Sequence, residues 1–339
     1  MEQKKLIDTK KNPFYKNGNI ALFIAEQNGK VCGRIAAIED HRFNEYHGSK
    51  TGFFGFFECI DDESVAYLLF KVASDWLQER GYTEMLGPSN PSMMDEIGIL
   101  VDGFDHDPGI LMPYHKPYYD KLIKSAGLEK AMDMHAFRVT QATVAMTRMY
   151  RAEEIVRRRL PTLRIREVDP KNIESEVQIV RQIYNKAWAN NWGFIPLTEA
   201  EFDAVAKDLK PILDPKVAHI AEVNGEPVAF SIALPDLNQA LKHMDGTLFP
   251  TGIFKLLWHR RKINQIRTAL MGVVPEYQGK GIDALLHKEA ILNGQQVGYK
   301  SSELSWVLET NQNMIRVAEK IGARLEKTYR MYRRDLSID

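Results

Sequence analysis

The stretch GVVPEYQGKGIDALL (272–286) holds the densest grouping of residues suited to ligand chemistry. A β-rich run enters Gln278-Gly279-Lys280-Gly281, and an amphipathic run starts immediately afterwards. Glycines let the backbone approach a ligand closely. The unpaired N–H groups of a helix start, aligned with its dipole, then favour an anion, most naturally a pyrophosphate. The spacing is not the P-loop G-x-x-x-x-G-K-[ST], and no βαβ unit begins here to make it a dinucleotide fingerprint. The nine histidines and two cysteines show neither H-E-x-x-H nor C-x-x-C spacing, so no metal site is expected. His219, in the middle of KVAHIAEV, reads as a core or surface histidine.

The elements that position this loop follow from periodicity. IALFIAE (20–26) and VCGRIAAIE (31–39) flank Asn28-Gly29, a hairpin signal, and TGFFGFFECI (51–60) reads as a buried central strand. Val65, Leu68, Leu69, Val72, Ala73, Trp76 and Leu77 share one helical face, with Gly81 closing that helix. EMLGPSN (84–90) reads as a strand ending in a turn. A Gly/Pro-punctuated segment (91–117) leads to a helix near 118–125 and a strand near 133–144. The order then recurs. RIREV (164–168) is a strand, 173–187 an amphipathic helix, and 216–223 with 226–234 a second hairpin around Asn224-Gly225. Strand 266–274, helix 281–292, strand 303–308, helix 311–323 and strand 324–334 complete it.

The two Asn-Gly turns, and the helix-closing Gly127 and Gly322, each recur at an offset of about 195 residues, which points to a duplicated domain. A chain of 339 residues suits two domains, and 44% hydrophobic with 27% charged residues excludes wholesale disorder. Equal counts of 45 basic and 45 acidic residues give no global field, so no nucleic-acid partner is expected. Cys32 and Cys59 lie in apolar runs and read as reduced buried thiols. With no membrane-spanning run and no leader-like start, a cytoplasmic location is expected.

The loop resembles motif A of the GNAT acyltransferase superfamily, Gln/Arg-x-x-Gly-x-Gly/Ala after a strand. Gln278, Gly281 and Asp283 occupy its marked positions, the last departing from the pattern. Downstream, Asn311, Met314, Glu319, Lys320 and Gly322 resemble the family's Asn-x-x-Ala…Tyr-Glu-Lys-x-Gly helix, and the order of elements over 164–334 matches that fold. The resemblance implies an α/β (α+β) chain of tandem GNAT-like domains, each a mixed, mostly antiparallel sheet flanked by helices. The boundaries expected are an N-terminal domain at 1–145 without a CoA pyrophosphate loop, an arginine-rich linker at 146–163, and a C-terminal acyltransferase domain at 164–339.

The resemblance also implies roles. Backbone groups of Val273 and Val274 would bind pantetheine, Gln278, Gly279, Lys280, Gly281, Ile282 and Asp283 would hold the pyrophosphate of acetyl-CoA or a longer acyl-CoA, and Asn311 would touch the arm near the thioester. The Asp283 carboxylate would crowd and repel that pyrophosphate. The family's leaving-group acid falls at Ala318, so Tyr329, Tyr332 or solvent would protonate the thiolate. Glu309 is the best-placed base for an attacking amine, with Glu303 and His243 weaker. In the first half the matching turn carries Asp61, Asp62 and Glu63, which oppose a pyrophosphate.

For the acceptor, Asn191, Trp192 and Phe194 lie between the first two helices of the second half, where the family contacts substrate. The long loop 87–122 reads either as a packing lid or as a wall of that pocket. Segment 246–267 has no acidic residue and joins Phe249, Phe254, Leu257 and Trp258 to Lys255, Arg260, Arg261, Lys262 and Arg267. That make-up suits either a helix packed across the domain junction or an interfacial segment at the inner membrane face. The expected function is acyl-CoA-dependent N-acylation of a small-molecule or lipid primary amine by direct attack. Across most of its length the chain is similar to bacterial tandem-GNAT proteins, some sphingoid-base N-acyltransferases among them. An aminoacyl-tRNA-dependent transferase and a non-catalytic acyl-CoA-binding protein stay open as alternatives.

Overall fold

The computed structural model describes residues 2–244 and 252–337. The strands are β1 (Gly18–Gln27), β2 (Lys30–Asp40), β3 (Thr51–Cys59), β4 (Glu84–Gly87), β5 (Ser89–Asn90), β6 (Glu96–Ile97), β7 (Ile99–Asp102) and β8 (Glu129–Thr140). They continue with β9 (Arg164–Glu167), β10 (Ala218–Val223), β11 (Glu226–Pro235), β12 (Gln265–Val273), β13 (Ser301–Leu308) and β14 (Arg324–Asp335). The helices are α1 (Glu2–Leu6), α2 (His41–His47), α3 (Glu63–Gln78), α4 (Tyr119–Ser125), α5 (Met146–Arg159) and α6 (Ile173–Trp188). After them come α7 (Glu199–Leu209), α8 (Asn238–Leu241), α9 (Gly252–Arg260), α10 (Ile282–Gln296) and α11 (Gln312–Lys320).

Local chemistry explains the repeated pieces. Asn28 and Gly29, like Asn224 and Gly225, all have positive φ, the geometry a tight two-residue hairpin turn requires. They close β1–β2 and β10–β11. In β3 only Glu58 is exposed, so both faces are covered and the strand is central. Helix α3 lays Val65, Leu69, Phe70, Ala73 and Leu77 against that core, each fully buried side chain of this size contributing about 1.5–3 kcal/mol. Asp62 caps it, its Oδ1 accepting from the N–H groups of Ser64 and Val65.

One sheet of 12 strands spans the chain in the order β1-β2-β3-β4-β14-β8-β13-β12-β11-β10-β9, with β7 also pairing β14. Read from either side of its centre, the order is palindromic: β1–β4 correspond to β10–β13, and β8 to β14. Parallel pairing occurs at β3–β4 and again at β12–β13. The last strand of each half, however, sits in the other half. β14 pairs β4, β8 pairs β13, and the two exchanged strands pair each other.

Three elements differ from expectation. β8 begins at Glu129 rather than near 133. Its loop-like charges are matched across the strand pair, by Arg330 to Asp133 at 2.7 Å and by Arg333 to Glu129 at 2.9 Å. The segment 91–117 carries two short strands, β6 and β7. The arginine-rich connector forms α5, which buries Met149 and Val156 and pairs Glu153 with Lys288 of α10 at 2.6 Å.

Candidate functional site

β12 and β13 pair in parallel from Gln265↔Ser301 to Thr268↔Leu304, and no further. Beyond that point β12 stays with β11, and β13 stays with β8 through Val307↔His135 and Leu308↔Met134. A cleft therefore opens between 269–273 and 305–308. At its end β12 runs through a short turn, Pro275–Tyr277, into exposed Gln278, Gly279 and Lys280. Gly279 and Gly281 have φ of +70° and +87°, in the left-handed region that glycine adopts without strain. Gly281 is the N-cap of α10 and makes no side-chain capping bond, so the first-turn N–H groups keep donor capacity for an anion.

The expected loop residues thus come together. Gln278 Nε2 donates to the Val273 carbonyl at 3.0 Å, and Lys280 Nζ stands 4.5 Å from the Tyr277 ring centre. Ile282 is buried beneath the loop. The Val274 N–H is directed away from the cleft, onto the Val228 carbonyl at 2.9 Å. Asp283 Oδ1 accepts from the Ala284 N–H at 2.8 Å, and burial raises the Asp283 carboxyl above its ordinary value. The Asp283 side chain therefore spends one of the donors that an anion would use.

At the far end of β13, Asn311 caps α11, its side chain accepting from the Met314 N–H at 3.1 Å. Glu309 accepts from Lys130 Nζ at 2.7 Å and from the Asp133 N–H at 3.0 Å. Next to this pair lies His135 of β8, whose Nδ1 is buried with no partner among the described residues. Burial lowers the His135 pKa, against the opposing charges of Asp133 and Glu309, and so keeps the imidazole neutral. Ala318 is buried in the α11 core, so no side chain there reaches the cleft. His219 is a core histidine bonded to Asn293 and held near pKa 4 by burial, whereas His243 stacks on His259 beside α9.

The opposite face of the cleft carries a second group. Tyr329 of β14 and Trp306 of β13 stand edge to face with ring centres 6.0 Å apart, within a buried cluster that includes Met93, Met112, Met132, Met134 and Met331. Neither Tyr329 Oη nor Trp306 Nε1 has a hydrogen-bond partner among the described residues. By contrast, Tyr332 Oη donates to Asp120. Glu303, entirely buried, accepts from Lys327 Nζ at 2.7 Å and Ser305 Oγ at 2.8 Å. Burial alone would raise its carboxyl, but Lys327, Arg267 and Arg138 hold it below the ordinary value. Arg267 donates to the carbonyls of Ile110 and Ser305, which ties the long loop to the cleft.

Of the expected acceptor residues, Trp192 packs against the methionine-rich cluster, and the Asn191 backbone N–H closes a turn onto Trp188. Phe194 is buried against Tyr184, and its carbonyl accepts from His47 of the first half at 2.9 Å. The equivalent cleft of the first half is filled. β3 and β4 part after Phe53↔Leu86, where Asn90 Oδ1 takes the Phe56 N–H at 2.6 Å and a Cβ on Gly55 would lie 1.9 Å from the Ser89 carbonyl oxygen.

Trp306 and the Tyr329 hydroxyl meet only through strand exchange, with His135 on the other face of the same strands. Sequence offered a signal for Tyr329 alone, as a tyrosine on the last strand.

No family model matches the chain. The chain is 36% identical to the bacterial ceramide synthase of Caulobacter vibrioides, over 99% of its own length and 89% of that protein. It is likewise 36% identical to Protein YghO of Escherichia coli, over 96% of its own length and 85% of that protein. Among solved structures, a tandem GNAT protein from the clavulanic acid biosynthesis pathway superposes with a TM-score of 0.52 at 10% identity, covering 95% of this chain and 85% of that one. A GCN5-related N-acetyltransferase from Sphaerobacter thermophilus gives 0.50 at 12% identity, covering 91% and 78%. These structural likenesses show the fold, a tandem GNAT.

Proposed function

Because the chain belongs to the family of the bacterial ceramide synthase and Protein YghO, and is an N-acyltransferase of tandem GNAT fold, we propose that it joins a fatty acyl group from acyl-CoA to the primary amine of a long-chain lipid base. The observation that carries this is the open cleft between β12 and β13, ending on a glycine loop and a helix start without a side-chain cap. Acyl-CoA lays its pyrophosphate on Gly279–Gly281 and Lys280 and passes its arm between the strands. The amine nitrogen attacks the thioester carbon, the thiolate leaves with the electron pair of the C–S bond, and the nitrogen's surplus proton is taken up. His135, neutral and with Nδ1 unpaired among the described residues, is the group able to accept it, and Glu309 lies close enough to stabilise the resulting charge. Asn311 orders the start of α11 beside the arm.

The first half takes no CoA in this reading. Asp62 closes the start of α3, and residues 89–90 fill the β3–β4 cleft. Its part is to wall the acceptor side, with the 87–112 segment lying over the methionine-rich cluster.

Helix α9 supports contact with a bilayer surface. Phe254 and Trp258 are 72% and 62% exposed, Leu257 is exposed beside them, and Lys255, Arg260, Arg261 and Lys262 surround them. Phe249 and the rest of 245–251 lie outside the described residues. Among the described residues no helix is long and apolar enough to cross a membrane. An apolar body with flanking cations suits an anionic lipid surface. A cavity of about 620 Å³ opens beside α8, between Asp236, Leu241 and Lys242 on one side and His106, Asp107 and Arg138 on the other.

The test is acylation of a long-chain amino alcohol by palmitoyl-CoA, read as amide by mass spectrometry. Vesicles of phosphatidylglycerol are expected to retain the wild type, and Trp258→Ala to release it. Amide formation on short water-soluble amines alone would contradict the lipid reading.

A further inference from the structure

Two buried donors on the acceptor face of the cleft have no acceptor among the described residues. Tyr329 is fully buried, Trp306 Nε1 is shielded from solvent, and their rings stand 6.0 Å apart. Leaving a buried donor without a partner is costly, and most buried side-chain polar atoms in native proteins are paired. Two such groups side by side mark a place where something with an acceptor atom binds. Their position says what it is. Trp306 comes two residues after the last parallel pair, Thr268↔Leu304, just where β12 and β13 separate. Tyr329 reaches the same place from β14, two strands away, across β8. Arg267, its guanidinium 5.5 Å from the Trp306 ring centre, directs one N–H from each of its three nitrogens to Ser305 and Ile110. Tyr332, three residues on, is occupied by Asp120.

We propose that Tyr329 Oη and Trp306 Nε1 donate hydrogen bonds to the carbonyl oxygen of the acyl thioester, forming the site that stabilises its oxyanion. This rests on the acyltransferase reading above and extends it to two named side chains. As nitrogen bonds to the carbonyl carbon, the C=O π pair moves onto oxygen, where both donors meet it. When the pair returns to re-form C=O, the C–S bond breaks, the sulfur leaves with its electrons, and the proton lost by nitrogen ends on the thiol. Donors fixed before the reaction need no reorganisation, and each is worth most in a site that excludes water. The methionines around the pair, being unbranched and adaptable, let an acyl chain or acceptor tail pass beside it.

The experiment compares palmitoyl-CoA with the matching alkyl-CoA thioether, which lacks the carbonyl oxygen, on wild type, Tyr329→Phe and Trp306→Phe. Wild type is expected to bind the thioester about 5- to 10-fold more tightly than the thioether, and each variant to lose most of that preference. Turnover by Tyr329→Phe should fall about 100-fold with KM for palmitoyl-CoA little changed. Because Tyr329→Phe removes an unpaired hydroxyl from the core, its melting temperature should hold or rise. A variant that keeps both turnover and the thioester preference would overturn the proposal. So would a Tyr329→Phe that melts lower and loses activity only in proportion to its folded fraction. If neither CoA compound binds the wild type, the acyltransferase site and this pair fall together, whereas equal binding of the two removes the pair alone.

Discussion

Asp283 lies in the first turn of α10, on the loop proposed to hold the pyrophosphate, and its carboxylate already takes the Ala284 N–H. Burial raises its pKa, so the charged form is the disfavoured one in the folded protein. Lowering the pH through that raised value protonates Asp283 and removes a negative charge from the helix start. Acyl-CoA affinity should therefore increase as pH falls, and Asp283→Asn should abolish that part of the dependence while tightening binding about 3- to 10-fold. Calorimetric titration of both proteins between about pH 5 and 8 measures it. The Glu303–Lys327 pair gives a stability counterpart. Both side chains are fully buried and 2.7 Å apart, so Lys327→Met leaves a carboxylate with its nearest cation gone. Denaturant unfolding should show a loss of about 3–5 kcal/mol, with Glu303→Gln/Lys327→Met recovering much of it.

The elements carry the two exchanged strands, β8 and β14, and these make the halves interdependent. Each half completes its sheet with the other's last strand. Unfolding should therefore be a single calorimetric transition. Two separated transitions would show that the strand exchange does not couple the halves. The hairpins, the α3 face and the strand–loop–helix at 265–296 were legible in the sequence, because positive-φ Asn-Gly turns and helical spacing are local signals. Which strand neighbours which was not. Alternating apolar residues in β8 and β14 mark strands, but nothing in them names a partner, and cross-strand ion pairs such as Arg330–Asp133 read as loop polarity until both strands are in place. The candidate site divides the same way. Its glycine loop, proposed to hold the anion, is one contiguous segment, whose strand, turn and helix start were readable. Its aromatic donors and His135 come from β13, β14 and β8, joined only by the exchange. Phe194, expected to touch substrate, is held in the α6 core, with its carbonyl bonded to the first half.

At the scale of the molecule, a near-palindromic sheet offers two equivalent clefts, of which one is open and one is filled. On the first-half side, Asp62 closes the helix and Asn90 occupies the cleft, whereas on the second-half side Gly279, Gly281 and a helix start whose N-cap makes no side-chain bond remain. In the proposed reading one half supplies the donor site and the other a supporting wall, and the amine reaches the thioester between them. The most direct measurement is thermal stabilisation by a series from acetyl-CoA to palmitoyl-CoA, on wild type, Gly281→Glu and Lys280→Glu. Gly281→Glu puts a side chain on a +87° backbone next to Val156, whereas Lys280→Glu changes only charge on an exposed side chain. The account predicts saturable stabilisation that grows with chain length, is abolished by Gly281→Glu and is weakened by Lys280→Glu. Absence of stabilisation by any CoA ester, or undiminished binding to Gly281→Glu, would contradict it.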